Sequence, residues 1–275
     1  MRVLVVGKAK TGTTALVSLI RQSLQPCDLV MEPNSVLAFA KKSQEREGNE
    51  AIKILWEHFR TRRRHLDAIV HGEFGFPVDK VVFISRDARD EMVSKLLYHA
   101  KIARDDKLIP EPREQVLARW VQALQAKERD PESISLRGLC RIFESLYDID
   151  LWSRLTDIAD KREFESYIHH GVGRDAHVLA YEDMVADRTD GLADYLGVPV
   201  TVPTADVDLG KFGHTRRSGR AANWRSFFTN EDVEILRPLL RQMLPDPRYD
   251  DWKLDLEPRI EPAEVSQYVA KIAAV

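Results

Sequence analysis

The chain has 275 residues and a mass of 31.5 kDa, with 44% hydrophobic and 31% charged residues. That composition suits an ordinary folded protein with one elaborated core or two small ones. Its 41 basic and 44 acidic residues leave a net charge of −3, which excludes bulk electrostatic attraction to nucleic acid, so any anion site has to be built locally. No apolar run approaches the roughly 20 residues that span a bilayer. Cys27 and Cys140 are the only cysteines, and no metal-ligand spacing can be made from them. A reducing cytoplasm is the expected setting.

The first candidate strand is residues 3–6, a short valine-rich run that ends at Gly7 and suits a central parallel strand better than a signal peptide. Residues 13–24 then place Leu16, Leu19, Ile20 and Leu24 on one helical face. Further apolar runs at 29–31, 68–70, 81–84 and 177–181 predict four more strands, mostly separated by helical stretches. The pattern reads as an α/β fold, a parallel β-sheet flanked by helices. The stretch from about 98 to 174 carries Pro110, Pro112 and then Val116, Leu117, Trp120, Val121 and Leu124 at helical spacing. It is expected to be a helical insertion within a single domain over 1–275. That insertion would be either a lid and acceptor wall or a thickening of one face of the sheet.

Between the first strand and the first helix lies Gly7-Lys8-Ala9-Lys10-Thr11-Gly12-Thr13-Thr14. Its glycines have the spacing of the nucleotide-binding pattern G-x-x-x-x-G-K-[ST], but threonine, not lysine, follows the second glycine. Glycines let successive N–H groups face one concavity, the helix N-terminus favours negative charge, and the threonine hydroxyls and Lys10 add donors. The alternative is a glycine turn before a threonine-capped helix. A second element follows the strand at 81–84: Arg86, with Ser94 about two helical turns on. A guanidinium forks onto phosphate and a serine hydroxyl can share the load.

With both elements in view, the chain resembles the sulfotransferase family that uses 3′-phosphoadenosine 5′-phosphosulfate (PAPS). Residues 9–15 are similar to that family's loop P-K-S-G-T-T-W, with the proline and tryptophan replaced. Arg86-Asp87-Ala88-Arg89-Asp90 with Ser94 resembles its R-[DN]-P-x-D element, with alanine for proline. Tyr181-Glu182-Asp183 resembles its Y-E-D, where the tyrosine lies near adenine. Arg217-Ser218-Gly219, Asn223-Trp224-Arg225 and Phe228-Thr229 resemble its late loop R-K-G-x-x-G-D-W-K-x-x-F-T, with Ala222 for glycine and Asn223 for aspartate.

The resemblance implies transfer of a sulfonyl group from PAPS to a hydroxyl or amine of a small-molecule, carbohydrate or lipid-linked acceptor. It leaves 3′,5′-adenosine bisphosphate and needs no metal. Lys10, Thr11, Gly12, Thr13 and Thr14 would hold the 5′ end, with Lys10 stabilising charge on the leaving phosphate. Arg86, Ser94, Arg217, Ser218 and Gly219 would hold the 3′-phosphate and cover the donor, and Tyr181 would lie near the adenine. For the general base two residues stand open. Glu32 directly follows the second predicted strand, as in enzymes acting on glycans and protein tyrosines. His71 directly follows the third, like the histidine of the small-molecule enzymes. The basic run Arg60, Arg62, Arg63 and Arg64 reads as solvated charge or as a surface for an acidic acceptor. Two other readings compete: a kinase on a related phosphate-loop sheet, which would prefer magnesium-ATP, and a nucleotide binder without turnover.

Overall fold

A computed structural model describes residues 1–33, 48–73, 77–105, 112–200, 217, 219–241 and 247–274. The chain divides into two compact units, Met1–Arg86 with Glu163–Arg216, and Asp87–Arg162 with Arg217–Val275.

The first unit is built on a parallel five-stranded sheet. Its strands are β1 (Arg2–Gly7), β2 (Cys27–Met31), β3 (Asn49–Leu55), β4 (Lys80–Ser85) and β5 (His177–Ala180), in the order β2-β3-β1-β4-β5. Alternation of side chains along each strand divides its apolar residues between two cores. Leu4, Val6, Ile52, Ile54, Val81 and Phe83 face α2 (Arg63–Val70) together with Phe164 and Tyr167. Val3, Val5, Ala51, Val82, Ile84 and Leu179 face α1 (Thr13–Ser23) and Leu192 and Leu196. With both faces covered, β1 and β4 can be apolar throughout, which is why they stand out as continuous runs.

Two sequence-based expectations are corrected here. Residues 68–70 are not a strand but the last turn of α2, whose Leu66, Ile69 and Val70 bury one helical face. The third strand is instead Asn49–Leu55, where Glu50 and Lys53 interrupt the apolar pattern yet are themselves buried.

The second unit is helical, with one core. It holds α3 (Ala88–Asp105), α4 (Arg113–Arg129), α5 (Leu136–Tyr147), α6 (Leu151–Leu155) and the start of α7 (Ile158–Ser166). Later in the chain come α10 (Trp224–Phe227), α11 (Asn230–Leu240) and α12 (Ser266–Ala274). Trp120, Phe143, Tyr147, Trp224 and Phe228 form its aromatic centre. Phe143 stacks on Tyr147 at 4.2 Å and meets Trp120 edge-on at 5.1 Å, geometries that add to the burial energy. The short helices α8 (Tyr181–Val185) and α9 (Asp190–Leu196) belong to the first unit.

Candidate anion site at the carboxyl edge of the sheet

β1 lies between β3 and β4, and the chain leaves β1 toward β2 on one side of the sheet and reaches β5, on the other side, after β4. The carboxyl ends of β1 and β4 therefore flank a point where the order reverses, the place at which open parallel sheets form crevices for ligands. The loop of residues 7–14 and Arg86 occupy these two ends.

The loop owes its shape to two glycines. A side chain on Gly7 would come within 2.6 Å of both Ile84 and Thr13, so only glycine allows the strand end to pass under the helix. Gly12 has φ 96°, and a Cβ there would lie 2.5 Å from the Tyr181 ring. Lys10 also adopts a left-handed backbone, φ 73°, a conformation that costs a non-glycine residue about 1 kcal/mol or more. Neighbours hold it in place. Thr11 donates both its hydroxyl (2.8 Å) and its N–H (3.3 Å) to the Lys8 carbonyl. Arg86 donates to the Lys10 carbonyl at 2.9 Å, and its guanidinium lies 4.1 Å from the Tyr181 ring centroid. Glu57, just after β3, accepts the Ala9 N–H at 3.0 Å.

These contacts bring together Lys10, Thr11, Gly12, Thr13, Thr14, Arg86 and Tyr181. Lys8, Thr11, Thr13, Thr14 and Arg86 are all buried, while Lys10 is half-buried. The concentration of cations, hydroxyls and first-turn N–H groups at one sheet edge is the chemistry of an anion cradle. The loop needs both glycines, since a Cβ on Gly7 would strike Ile84 and Thr13 and one on Gly12 would strike Tyr181.

Glu32 directly follows β2 with a left-handed φ of 45°, and its N–H donates to the Lys53 carbonyl at 3.0 Å. It joins the loop through Lys53, whose ammonium lies 2.6 Å from Glu32 Oε1 and 2.8 Å from Thr14 Oγ1. Burial pushes the Lys53 ammonium below its ordinary pKa, and the Glu32 carboxylate opposes that shift.

His71 lies elsewhere. It follows α2, which runs back from the carboxyl edge, and its N–H donates to Asp67 in the last helical turn. Arg174 bonds the carbonyls of both Val70 and Val78, and Asp79 bonds Arg2 at the start of β1. His71 is thus at the amino edge of the sheet, at the opposite end of the strands from the loop. Among the remaining predicted residues, Ser94 is buried on α3, and Arg217 and Gly219 precede α10, all in the second unit. Ser218 lies outside the described residues.

No protein-family model matches the chain, and no curated protein matches it in sequence. Among solved structures, the crystal structure of mouse sulfotransferase SULT7A1 complexed with PAP matches 90% of this chain and 85% of its own length. The TM-score is 0.50 and the identity 14%. The chain shares that sulfotransferase's fold. At such identity the likeness is one of backbone architecture, and the chemistry has to come from this chain's own side chains.

Lys53 and Glu57 lie outside the motifs legible in the sequence. Both stand at the carboxyl end of β3 or directly after it. The available signal was a lone lysine inside Asn49-Glu50-Ala51-Ile52-Lys53-Ile54-Leu55. A charge that interrupts a buried strand needs a partner, and here the partners are the loop and Glu32.

Proposed function

We propose that the chain is a PAPS-dependent sulfotransferase acting on a hydroxyl or amine of a small-molecule, carbohydrate or lipid-linked acceptor. One observation carries the reading. A phosphate-type loop with threonine after its second glycine has a buried arginine, from the end of the neighbouring strand β4, bonded into its backbone. A kinase loop of this class uses a lysine after that glycine for the outer phosphates. Here the cations are Lys10 within the loop and Arg86 across the switch point, an arrangement for a smaller terminal anion and a second phosphate. The shared sulfotransferase fold supports the same reading.

The donor supplies the activated sulfonyl group. Thr13, Thr14 and the first-turn N–H groups of α1 bind its 5′-phosphate, and Lys10 neutralises charge as it grows on that phosphate. Arg86 meets the 3′-phosphate, and Tyr181, packed between Gly12 and Arg86, sets the floor for the base. The 3′-phosphate and covering roles that the resemblance gives Ser94, Arg217, Ser218 and Gly219 are part of the same proposal. Glu32 is the proposed general base, since it shares the carboxyl edge with the loop. His71, which follows α2 at the other end of the strands, is the second candidate that the resemblance offers.

The test is thermal unfolding with adenosine 3′,5′-bisphosphate, 5′-AMP or magnesium-ATP, on wild type and Arg86→Ala. A ligand at 100 times its Kd adds about 2.7 kcal/mol of stability. The bisphosphate should stabilise wild type most, and Arg86→Ala should lose that preference over 5′-AMP. Stronger stabilisation by magnesium-ATP would overturn the reading in favour of a kinase.

A further inference from the structure

Lys53 belongs to none of the motifs that carry the resemblance. It leaves the middle of the sheet, paired in register with Val5 on β1 and Met31 on β2, and it is only 3% exposed. Its side chain points to the α1 face, the same face as Ala51, and ends beneath the first turn of the helix.

Two bonds fix its ammonium there, to Thr14 Oγ1 at 2.8 Å and to Glu32 Oε1 at 2.6 Å. Their consequence lies in the valence of the threonine hydroxyl. A hydroxyl has one proton to give and two lone pairs to accept with. An ammonium can only donate, so Lys53 occupies a lone pair on Thr14 and leaves the proton for another acceptor. Thr14 is also the second residue of α1, and its N–H is among the first-turn donors that have no partner within the helix. Hydroxyl and N–H of one residue thus become two donors beside the loop. A buried charge is weakly screened and strengthens both. Glu32 balances that charge. Its side chain is 24% exposed against 4% for Lys53, so the pair has one partner in the protein interior and one at the water-facing edge.

We propose that Lys53 is a positioning residue for the donor's 5′-phosphate: its ammonium commits the Thr14 hydroxyl to donate to that phosphate, with Glu32 as its counter-ion. The proposal rests on the sulfotransferase reading and adds to it a residue and a mode of action. It requires that the influence of Lys53 pass through Thr14 and appear only for ligands that carry a 5′-phosphate.

The experiment is titration calorimetry on the full chain with adenosine 3′,5′-bisphosphate and adenosine 3′-monophosphate, using wild type, Lys53→Met, Thr14→Val and the double variant. Hydrogen bonds to charged groups set the expected scale. Lys53→Met should weaken the bisphosphate about tenfold or more and the 3′-monophosphate less than about twofold. Adding Lys53→Met to Thr14→Val should cause little further loss, the signature of coupled residues. Additive losses, or equal weakening of both ligands, would overturn the proposal. Wild type failing to bind the bisphosphate would instead count against the sulfotransferase reading itself. Should Lys53→Met not fold, the pair Lys53→Gln with Glu32→Gln, which buries no unpaired charge, takes its place with the same two ligands and the same criteria.

Discussion

The two units use their polar groups differently. In the helical unit several carboxylates accept from backbone, while Asp87 and Glu91 pair with the side chains of Arg89, Lys95 and Lys161. Asp90 accepts the N–H groups of Ala222 and Trp224 at 2.7 and 3.0 Å. Asp232 accepts Leu136, Arg137 and Thr229, and so fastens the starts of α5 and α11 together. Glu128 holds the first residue of α12 through both its N–H and its hydroxyl. In the sheet unit the buried polar groups of the loop region are mostly cations and hydroxyls, gathered at one edge: Lys8, Thr11, Thr13, Thr14, Lys53 and Arg86. The carboxylates that hold helix starts serve stability, whereas the cations and hydroxyls gathered at one sheet edge have the chemistry proposed above for receiving an anion. Burial alone does not distinguish the two regions; the kind of group that is buried does.

That contrast is open to direct attack, first at its structural pole. Asp232 is wholly buried, and burial pushes its carboxyl pKa up against the bonds that favour the ionised form. Asp232→Ala leaves the orphan N–H groups of two helix starts without an acceptor, so a loss of about 3–5 kcal/mol is expected. Urea denaturation measures it. A loss below about 1 kcal/mol would mean that water replaces the carboxylate and that the helical unit is not held by buried caps.

At the functional pole, Gly12→Ala tests whether the sheet edge is built for a ligand. The left-handed φ of 96° and the approach to Tyr181 predict a smaller stability cost, about 2–3 kcal/mol. The same change should abolish stabilisation by adenosine 3′,5′-bisphosphate, which calorimetric melting with and without the ligand would read. Undiminished ligand stabilisation would show that the loop is not the anion cradle.

The same contrast explains what the sequence revealed and what it hid. β1, β4 and α1 are legible because their burial is apolar and regular, β2 and β5 because each keeps a short apolar run, and the loop because glycine and threonine mark a turn. β3 was hidden because Glu50 and Lys53 break its pattern. Glu50 is buried against Arg2 at 2.6 Å, and Lys53 reaches the loop. Charges with partners distant in sequence look like solvated charges until the fold supplies the partner. The apolar run at 68–70 misled for the complementary reason: three consecutive apolar residues fit a buried helical turn as well as a strand. His71 therefore follows a helix and not a strand, while Glu32 directly follows β2, and its pairing with Lys53 depends on β3.

The smallest expected effect lies in the turn before α10, where Ala222 stands at the position that the resemblance gives to glycine. Its φ is 60°, its N–H is held by Asp90 and its carbonyl accepts from Arg225 at 3.1 Å. The left-handed backbone is therefore imposed by the bonds around the residue and not chosen by alanine. Relieving such strain is worth about 1 kcal/mol or more, while the added freedom of glycine in the unfolded chain takes back roughly 0.4–1 kcal/mol. Ala222→Gly should thus be neutral to stabilising by about 1 kcal/mol, a result that is unusual for a glycine substitution. Ala221→Gly next to it, where the backbone is not left-handed, should lose a few tenths of a kcal/mol from the entropy of the unfolded chain alone. Matched urea midpoints for the two variants separate the explanations. If both lose stability equally, Asp90 does not hold Ala222 in its strained form, and the buried carboxylates of the helical unit constrain the backbone less tightly than their hydrogen bonds suggest.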